Sequence, residues 1–304
     1  MKSISTLLFN QAAKSLDCYY HFTEEEIKAF KQCLLEIYLD VAKVCEKYNL
    51  DIILSGGSAL GAVRHKGFIP WDDDVDTIML RKDYNKLIEV FDKELGDKYI
   101  LSVPDKDGRS NVPHMEVLKK NTLLRRAYSN TKDNNKIRID IFPAENAPSN
   151  KFLQYIVAGI ADSLRMIIGC RNVFKSDEPL YKKTMMFNTK SKLLYYARYF
   201  AGVPFSIIPR RYLHLLFYKF TSNIKGDKYI VIPYGRRYYN GEIWKKNVFF
   251  PHQKGFFEGY EVNIPNDVHA HLTRLYGDYM EIPPENKREQ HTAIEFSLDT
   301  TKNK

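Results

Sequence analysis

The sequence predicts a mixed α/β fold (α+β) with an added helical region, and three features predict it. A capping box precedes apolar residues at helical spacing, and a short apolar strand runs through a double glycine into a second helix. From Pro148 onward the alternation of strands and helices gives way to helical periodicity.

In chain order, Thr23-Glu24-Glu25-Glu26 has the form of a capping box, in which the threonine accepts from a first-turn amide and Glu26 reaches back. Ile27, Phe30, Leu34, Ile37, Val41 and Val44 then share one helical face, so a long amphipathic helix is expected up to Asn49. Next, DIILSGGSALGAVRH reads as a strand from Ile52 to Leu54, a tight glycine turn and the first turns of a helix. After the loop holding Gly67 and Pro70, Val75 to Leu80 suits a strand. Lys82 to Leu95 suits a helix with Tyr84, Leu87, Ile88 and Phe91 inward. Residues 114–124 and 137–142 read as further strands. Residues 149–222 carry helices, interrupted near Asp177-Glu178-Pro179 and Val203-Pro204. Residues 229–296 return to short strands, a helix within NDVHAHLTRLYGDYM and a Pro-Pro stretch; Tyr276-Gly277-Asp278 reads as the end of that helix.

Of 304 residues, 44% are hydrophobic and 27% charged, a globular composition that excludes a largely disordered chain. No run of about 18 uncharged apolar residues is present, so no membrane span is expected. Asn10 and Gln11 interrupt the apolar patch near the N-terminus, which reads as mature protein rather than a secretory leader. Cys18, Cys33, Cys45 and Cys170 lack both the close pairs of a zinc site and the density of a disulfide scaffold. Buried thiols in a reducing, cytoplasmic compartment are expected. The formal charge of +9 suits an anionic partner: nucleic acid, anionic lipid or a phosphorylated substrate. The most basic stretches, KKNTLLRR at 119–126 and RRYYNGEIWKK at 236–246, contain strand-like apolar positions; this argues against nucleic acid and for solvated faces or phosphate contacts. Within 149–222, aromatic and aliphatic side chains alternate with Lys and Arg, which suits either contact with a membrane surface or helices packed on the core.

The densest chemistry lies in FIPWDDDVDTIML, residues 68–80. In a strand alternate side chains share a face, so Asp72, Asp74 and Asp76 are expected on one side, with Asp73 and Val75 on the other. Three carboxylates on one face need a cation, and hard oxygen ligands select Mg²⁺ or Mn²⁺. A calcium-loop frame through Asp72, Asp74, Asp76 and Asp83 fails because Thr77 stands where the sharp turn needs glycine. A solvated acidic turn accounts for Asp73 better than for the Asp-Val-Asp step. The turn at Gly56-Gly57-Ser58 offers amides to phosphate, and an Asp-x-Asp pair suits a metal bridging phosphate oxygens, so the two motifs belong together. In KIRIDIFPAE, Ile137, Ile139 and Ile141 face the core while Arg138 and Asp140 share the opposite face. Asp140 is then a third carboxylate, ligating a second metal or acting as general base, or else the ion-pair partner of Arg138 or Lys136.

LSGGSALGAVRHKGFIPWDDDVDTIMLRKDY, IDIFP at 139–143 and GYEVNIPNDVHAHLTRLYGDYMEIPPENKREQH resemble blocks of the LicD family, bacterial phosphotransferases related to fukutin and fukutin-related protein. The resemblance implies a nucleotidyltransferase-like mixed sheet with flanking helices. It also implies transfer of a substituted phosphate, typically phosphocholine from CDP-choline, to a sugar hydroxyl of a cell-surface glycan such as teichoic acid, lipopolysaccharide or capsule. Catalysis falls on Asp74, Asp76 and Asp140, and metal ligation on those three with Asp72, around Mg²⁺ or Mn²⁺. Donor phosphate falls on Gly56, Gly57 and Ser58 and on Arg64, His65 and Lys66. Thr77 departs from the apolar residue common in the family. Arg288 and His291 reach the site if the C-terminus folds back; a solvated tail is the alternative. On this reading residues 1–148 form the catalytic core with an N-terminal helix, 149–228 a helical elaboration facing acceptor or membrane, and 229–304 the part completing the core. The enzyme would work in the cytoplasm or peripherally on the inner face of the cell membrane, with no nucleic acid partner. The rivals are a nucleotidyltransferase acting on RNA or a small molecule, which would release pyrophosphate rather than CMP, and a catalytically silent glycan- or membrane-binding relative.

Overall fold

The computed structural model describes residues 9, 16, 19–104, 110, 112–126, 134–285, 288 and 292–301; Cys18 and His291 lie outside them. Helix α1, Glu24–Lys47, starts at the expected box: Glu26 N–H donates to Thr23 Oγ1 (3.2 Å) and Thr23 N–H to Glu26 Oε2 (2.9 Å). Its apolar face is buried from Phe30 to Cys45, whereas Ile27, one turn from the end, stays exposed. Strand β1 (Ile53–Leu54) leads through the glycine turn into α2 (Gly56–Arg64), then come β2 (Asp76–Leu80) and α3 (Arg81–Leu95). In α3, Tyr84, Leu87 and Phe91 are buried as expected and Ile88 is half-buried.

The segment expected as one strand over 114–124 is broken. Asn121, in the left-handed region at φ 58°, turns the chain, so β4 (Met115–Lys119) and β5 (Leu123–Arg126) are separate strands. With β3 (Tyr99–Ser102), β6 (Arg138–Ala147), β7 (Tyr229–Val231) and β8 (Ile243–Lys245), the central sheet has seven strands. Its main path runs β1-β2-β6-β4-β3, and the far half of the long β6 pairs with β7, which pairs with β8. Strand β5 leaves the sheet to pair with β11, Ala293–Ser297. One sheet face, carrying Val117, Ile139 and Ile141, packs with α1 and α3 in the largest core cluster. The other face carries Ile78 and Ala144 against Ile230, Trp244, Phe249 and Leu275. Cys33, Cys45 and Cys170 are buried free thiols, and burial pushes those of Cys33 and Cys45 up to about 11 and about 12.

Helices α4 (Lys151–Phe174), α5 (Pro179–Met185), α6 (Thr189–Gly202) and α7 (Arg210–Ser222) follow β6, and α8 (Tyr238–Gly241) joins β7 to β8. Ala158, Ala161 and Ile168 of α4 and Leu213 and Phe217 of α7 form a cluster with Val231, Tyr239 and Ile243, which fixes the helical region to the sheet edge. Against expectation, α4 is long and apolar enough to cross a membrane by length and composition, and only 22% of its most apolar window is buried. Its polar side is nonetheless engaged by protein: Asp162 Oδ1 accepts from Tyr239 N–H (2.9 Å), and Arg165 donates to the Gly235 carbonyl (2.8 Å). Beyond β8, the hairpin β9 (Gln253–Phe257) and β10 (Tyr260–Ile264) turns through Glu258 and Gly259, both at positive φ. It is followed by α9, Val268–Tyr276.

The hairpin closes on α2. A Cβ on Gly61 would stand 2.4 Å from the Gly67 carbonyl oxygen and 3.3 Å from Phe257 Cε2. Alanine in a helix interior is ordinarily about 1 kcal/mol better than glycine, but forcing a methyl into packed backbone costs about 1–3 kcal/mol. We expect Gly61→Ala to destabilise the protein by about 1–2 kcal/mol in urea denaturation. Gly159→Ala in α4, where a Cβ meets nothing within 4 Å, should be neutral or stabilising.

Candidate active site

The glycine turn and the start of β2 form one hydrogen-bonded unit. Ser55 N–H donates to the Asp76 carbonyl (2.9 Å), and Asp76 N–H donates to Ser58 Oγ (2.9 Å). A Cβ on Gly56 would lie 3.1 Å from Asp76 Oδ2, and one on Gly57 2.5 Å from Asp72 Oδ2. Only residues without side chains let two carboxylates lie this close to the backbone that opens α2, and Gly56 also takes a φ of +53°. From below, Gly56 N–H donates to Nε2 of the buried His271 in α9 (3.3 Å), which assigns the imidazole proton to Nδ1. Two of the three expected phosphate contacts therefore also brace the turn: the Gly56 amide on His271 and the Ser58 hydroxyl on Asp76.

Residues 72–75 lie outside the strand, so the alternation expected from Asp72 begins only at Asp76. Asp72, Asp73 and Asp74 each bring a carboxylate oxygen within 4.8 Å of the others. The expected separation of Asp73 from its neighbours is thus not observed, and Asp73 takes the guanidinium of Arg126 from β5 (3.2 Å). The preceding loop is set by outside clamps rather than by pleating. Lys31 of α1 donates to the Ile69 and Pro70 carbonyls (3.1 and 2.9 Å), and Phe68 N–H donates to Glu258 Oε1 (2.9 Å).

Strand register brings the acids of β2 and β6 together. Asp76 is the partner of Asp140 across the parallel β2·β6 pair, and Asp140 is the partner of Glu116 across antiparallel β6·β4. Partnered residues share a sheet face, so a row of three carboxylates crosses three adjacent strands. Thr77, the departure from the family pattern, is buried and laces the row by donating from Oγ1 to the Asp140 carbonyl (3.2 Å). Arg138 pairs with Glu116 (Nε to Oε1, 2.7 Å) rather than with Asp140. Asp140 faces His114 instead: Nε2 stands 3.5 Å from Oδ1, an electrostatic contact without the alignment of a hydrogen bond. The His114 ring is centred 4.2 Å from that of Phe142. Burial pushes the Asp140 carboxyl up, but His114, Arg138 and Arg126 outweigh it and hold the group below its ordinary range. Burial raises the Glu116 carboxyl despite Arg138.

A cleft of about 670 Å³ takes in Gly56, Gly57, Asp72, Asp74 and Asp76, together with Arg64, Arg165, Arg236, Arg237 and Arg288. Arg288 lies over Trp71 (4.4 Å to the ring centre), Arg236 over Tyr276 (5.0 Å) and Arg165 over Tyr234 (4.5 Å). Arg64 donates to the carbonyls of Tyr279 (2.5 Å) and Glu281 (3.1 Å), which ties the C-terminal segment back over α2 and brings Arg288 to the cleft. Of the three basic candidates, Arg64 lines the cleft; His65 and Lys66 do not. Tyr276 and Asp278, read from sequence as a helix end only, also line it. The residues missed in the sequence are Glu116, His114, Trp71 and Arg165; Arg236 and Arg237 belong to the basic stretch read as a solvated face or a phosphate contact, and they line the cleft. The one local signal was a glutamate inside the otherwise apolar strand MEVL.

A mixed sheet that sets aspartates beside a glycine-opened helix, with arginines lining the same cleft, has the chemistry that suits a phosphate-bearing ligand. Residues 49–157, about a third of the chain, match the family described as LicD/FKTN/FKRP, nucleotidyltransferase domain. The chain is 28% identical to the lipopolysaccharide cholinephosphotransferase LicD of Haemophilus influenzae over 274 residues, 82% of this chain and 89% of that protein. Shorter matches link it to uncharacterized proteins of Rickettsia prowazekii (31% identical over 71 residues, 21% of this chain and 27% of that protein) and Rickettsia typhi (35% over 66 residues, 21% of each).

Burial holds two histidines neutral. Desolvation, with Arg274 adding, pushes His271 down to about 3, and desolvation with Arg210 and His114 does the same to His214 of α7. In the unfolded chain both titrate near 6.5, so below that pH the unfolded state takes up protons that the folded state refuses. Stability present above pH 6.5 is lost as pH falls toward 3. We expect the unfolding free energy to drop by about 2 kcal/mol or more from pH 7.5 to 5.5. His271→Gln keeps an acceptor for the Gly56 amide without titrating, and should remove about 1 kcal/mol of that drop.

Proposed function

We propose that this chain is a metal-dependent phosphotransferase that moves a substituted phosphate, phosphocholine from CDP-choline, to a sugar hydroxyl of a cell-surface glycan, with lipopolysaccharide, teichoic acid and capsule as the acceptor classes. The observation that carries the reading is the in-register pair Asp76 and Asp140 beside the glycine turn backed onto Asp76 and Asp72. The similarity to a lipopolysaccharide cholinephosphotransferase over most of both chains supports the choice of donor and acceptor.

Asp72, Asp74 and Asp76 line the cleft, carboxylate oxygens of Asp72 and Asp74 come within 4.8 Å of each other, and Asp140 joins through its register with Asp76; an all-oxygen donor set fits a hard divalent cation. Asp74 and Asp76, with Asp72 and Asp140, would hold Mg²⁺ or Mn²⁺, and the bound ion supplies neutralisation of the diphosphate charge. The arginines of the cleft take the remaining phosphate charge, and their seats on aromatic rings fix their direction before the donor arrives. Asp140, held ionised by His114, takes the proton of the acceptor hydroxyl as that oxygen attacks the phosphorus bearing choline. The bond from this phosphorus to the bridging oxygen breaks, and CMP leaves. Catalysis is then mostly positioning and charge stabilisation.

The test is CMP release from CDP-choline in the presence of a lipopolysaccharide acceptor. Chelation should abolish turnover and Mg²⁺ or Mn²⁺ restore it. Asp76→Asn and Asp140→Asn should each lower it by about 100-fold or more while melting like the parent. Full turnover in chelator, or in either variant, overturns the assignment. Pyrophosphate in place of CMP would mark nucleotidyl transfer instead.

A further inference from the structure

The helical region carries an apolar surface that the catalytic reading does not use. Along α6, Leu193, Tyr196 and Phe200 form one stripe, and it continues through Val203 to Ile207 at the corner before α7. Leu193 is 72% exposed, Phe200 65% and Ile207 86%, values that leave these side chains almost wholly in water. A stripe of this kind on a rigid element marks an interaction surface. The corner is rigid: a Cβ on Gly202 would stand 2.3 Å from the Cys170 carbonyl oxygen, and Arg171 donates to the Ile208 carbonyl (2.7 Å).

Ile207 also lines a second cavity of about 540 Å³, whose other walls include Arg171, Lys175, Arg210 and Arg211. Among the described residues, no acidic one lines it. Arg171, Lys175, Arg210 and Arg211 line one pocket, so an anion bound there meets several cations at once. An apolar tip beside a cationic pocket is complementary to one kind of surface, in which acyl chains lie just beneath a plane of phosphate.

We propose that the α6–α7 corner docks this protein on an anionic phospholipid bilayer, with Ile207 and the α6 stripe entering the acyl boundary and the basic pocket seating a lipid phosphate. The contact is peripheral, and it would hold the enzyme at the surface where lipid-linked acceptors are found. It does not depend on which phosphate group the active site transfers.

The test uses the full chain in vesicle flotation, with vesicles of phosphatidylcholine alone and vesicles containing about 30% phosphatidylglycerol. The protein should float with the anionic vesicles and largely stay in solution with the neutral ones. Lys175→Glu/Arg211→Glu, two exposed positions, should weaken flotation by roughly tenfold or more, since each juxtamembrane cation is worth roughly fivefold. Ile207→Asp should weaken it comparably, and both variants should keep the parent's CMP release and thermal melt. No flotation, equal flotation with neutral vesicles, or parental flotation of the variants each overturns the proposal. So does thermal stabilisation by inorganic phosphate without flotation, which would make the pocket a site for a soluble anion. Self-association of the chain that Ile207→Asp abolishes, without flotation, would assign the stripe to a second copy.

Discussion

The site depends first on the pairing of β2 with β6. Among the described strand pairs this is the one that runs parallel, and its register sets Asp76 opposite Asp140. Parallel strands enter the sheet from the same end, so two acids near their starts meet there whatever lies between them in sequence. A shift of one residue in either strand would turn its acid toward the apolar face packed by α1 and α3. The apolar residues that enforce the register, Ile139 and Ile141 on one face and Ile78 and Ala144 on the other, are therefore as much a part of the site as the aspartates.

Around that row the structure is assembled from distant parts of the chain. Helix α1 holds the approach loop by Lys31, the β9–β10 hairpin holds it by Glu258, and α9 holds the glycine turn by His271. Arg64 then draws the C-terminal segment across the cleft, and with it Arg288. None of these contacts is strong alone, since a single hydrogen bond adds about 1 kcal/mol net. Together they leave the loop through Asp72 to Asp74 little freedom, which explains how three carboxylate oxygens remain within 4.8 Å of one another.

The parts of this arrangement legible in the sequence are the local ones. The capping box fixes the start of α1, the double glycine marks the turn, and alternation around Ile139 and Ile141 places Asp140 off the core face. What was not legible depends on pairing at a distance. Glu116 and His114 matter because β4 inserts beside β6, and Arg126 reaches Asp73 because β5 leaves the sheet for β11. A single sequence records neither choice of neighbour. The Asp73 expectation differed for a related reason: it assumed pleating where the chain is shaped by clamps from α1 and the hairpin. The basic stretch at 236–246 drew notice for its charge, but charge could not reveal that Arg236 and Arg237 share a cleft with Gly56 and Asp76.

The contrast between Asp140 and Glu116 assigns their roles. They are neighbours in one row, and ionising both beside Asp76 would concentrate charge in a poorly solvated place. The surroundings divide them. Glu116 is the more deeply buried, and its carboxyl is raised even though Arg138 is on it. Asp140 is lowered by His114 with help from Arg138 and Arg126. Of the two, Asp140, one strand nearer to Asp76, holds its charge more readily than Glu116. Environments that push two carboxyls apart in this way separate a structural acid from a working one. Glu116 then fixes Arg138 and the spacing of β4 from β6, while Asp140 keeps the negative charge that both a metal ligand and a proton acceptor require.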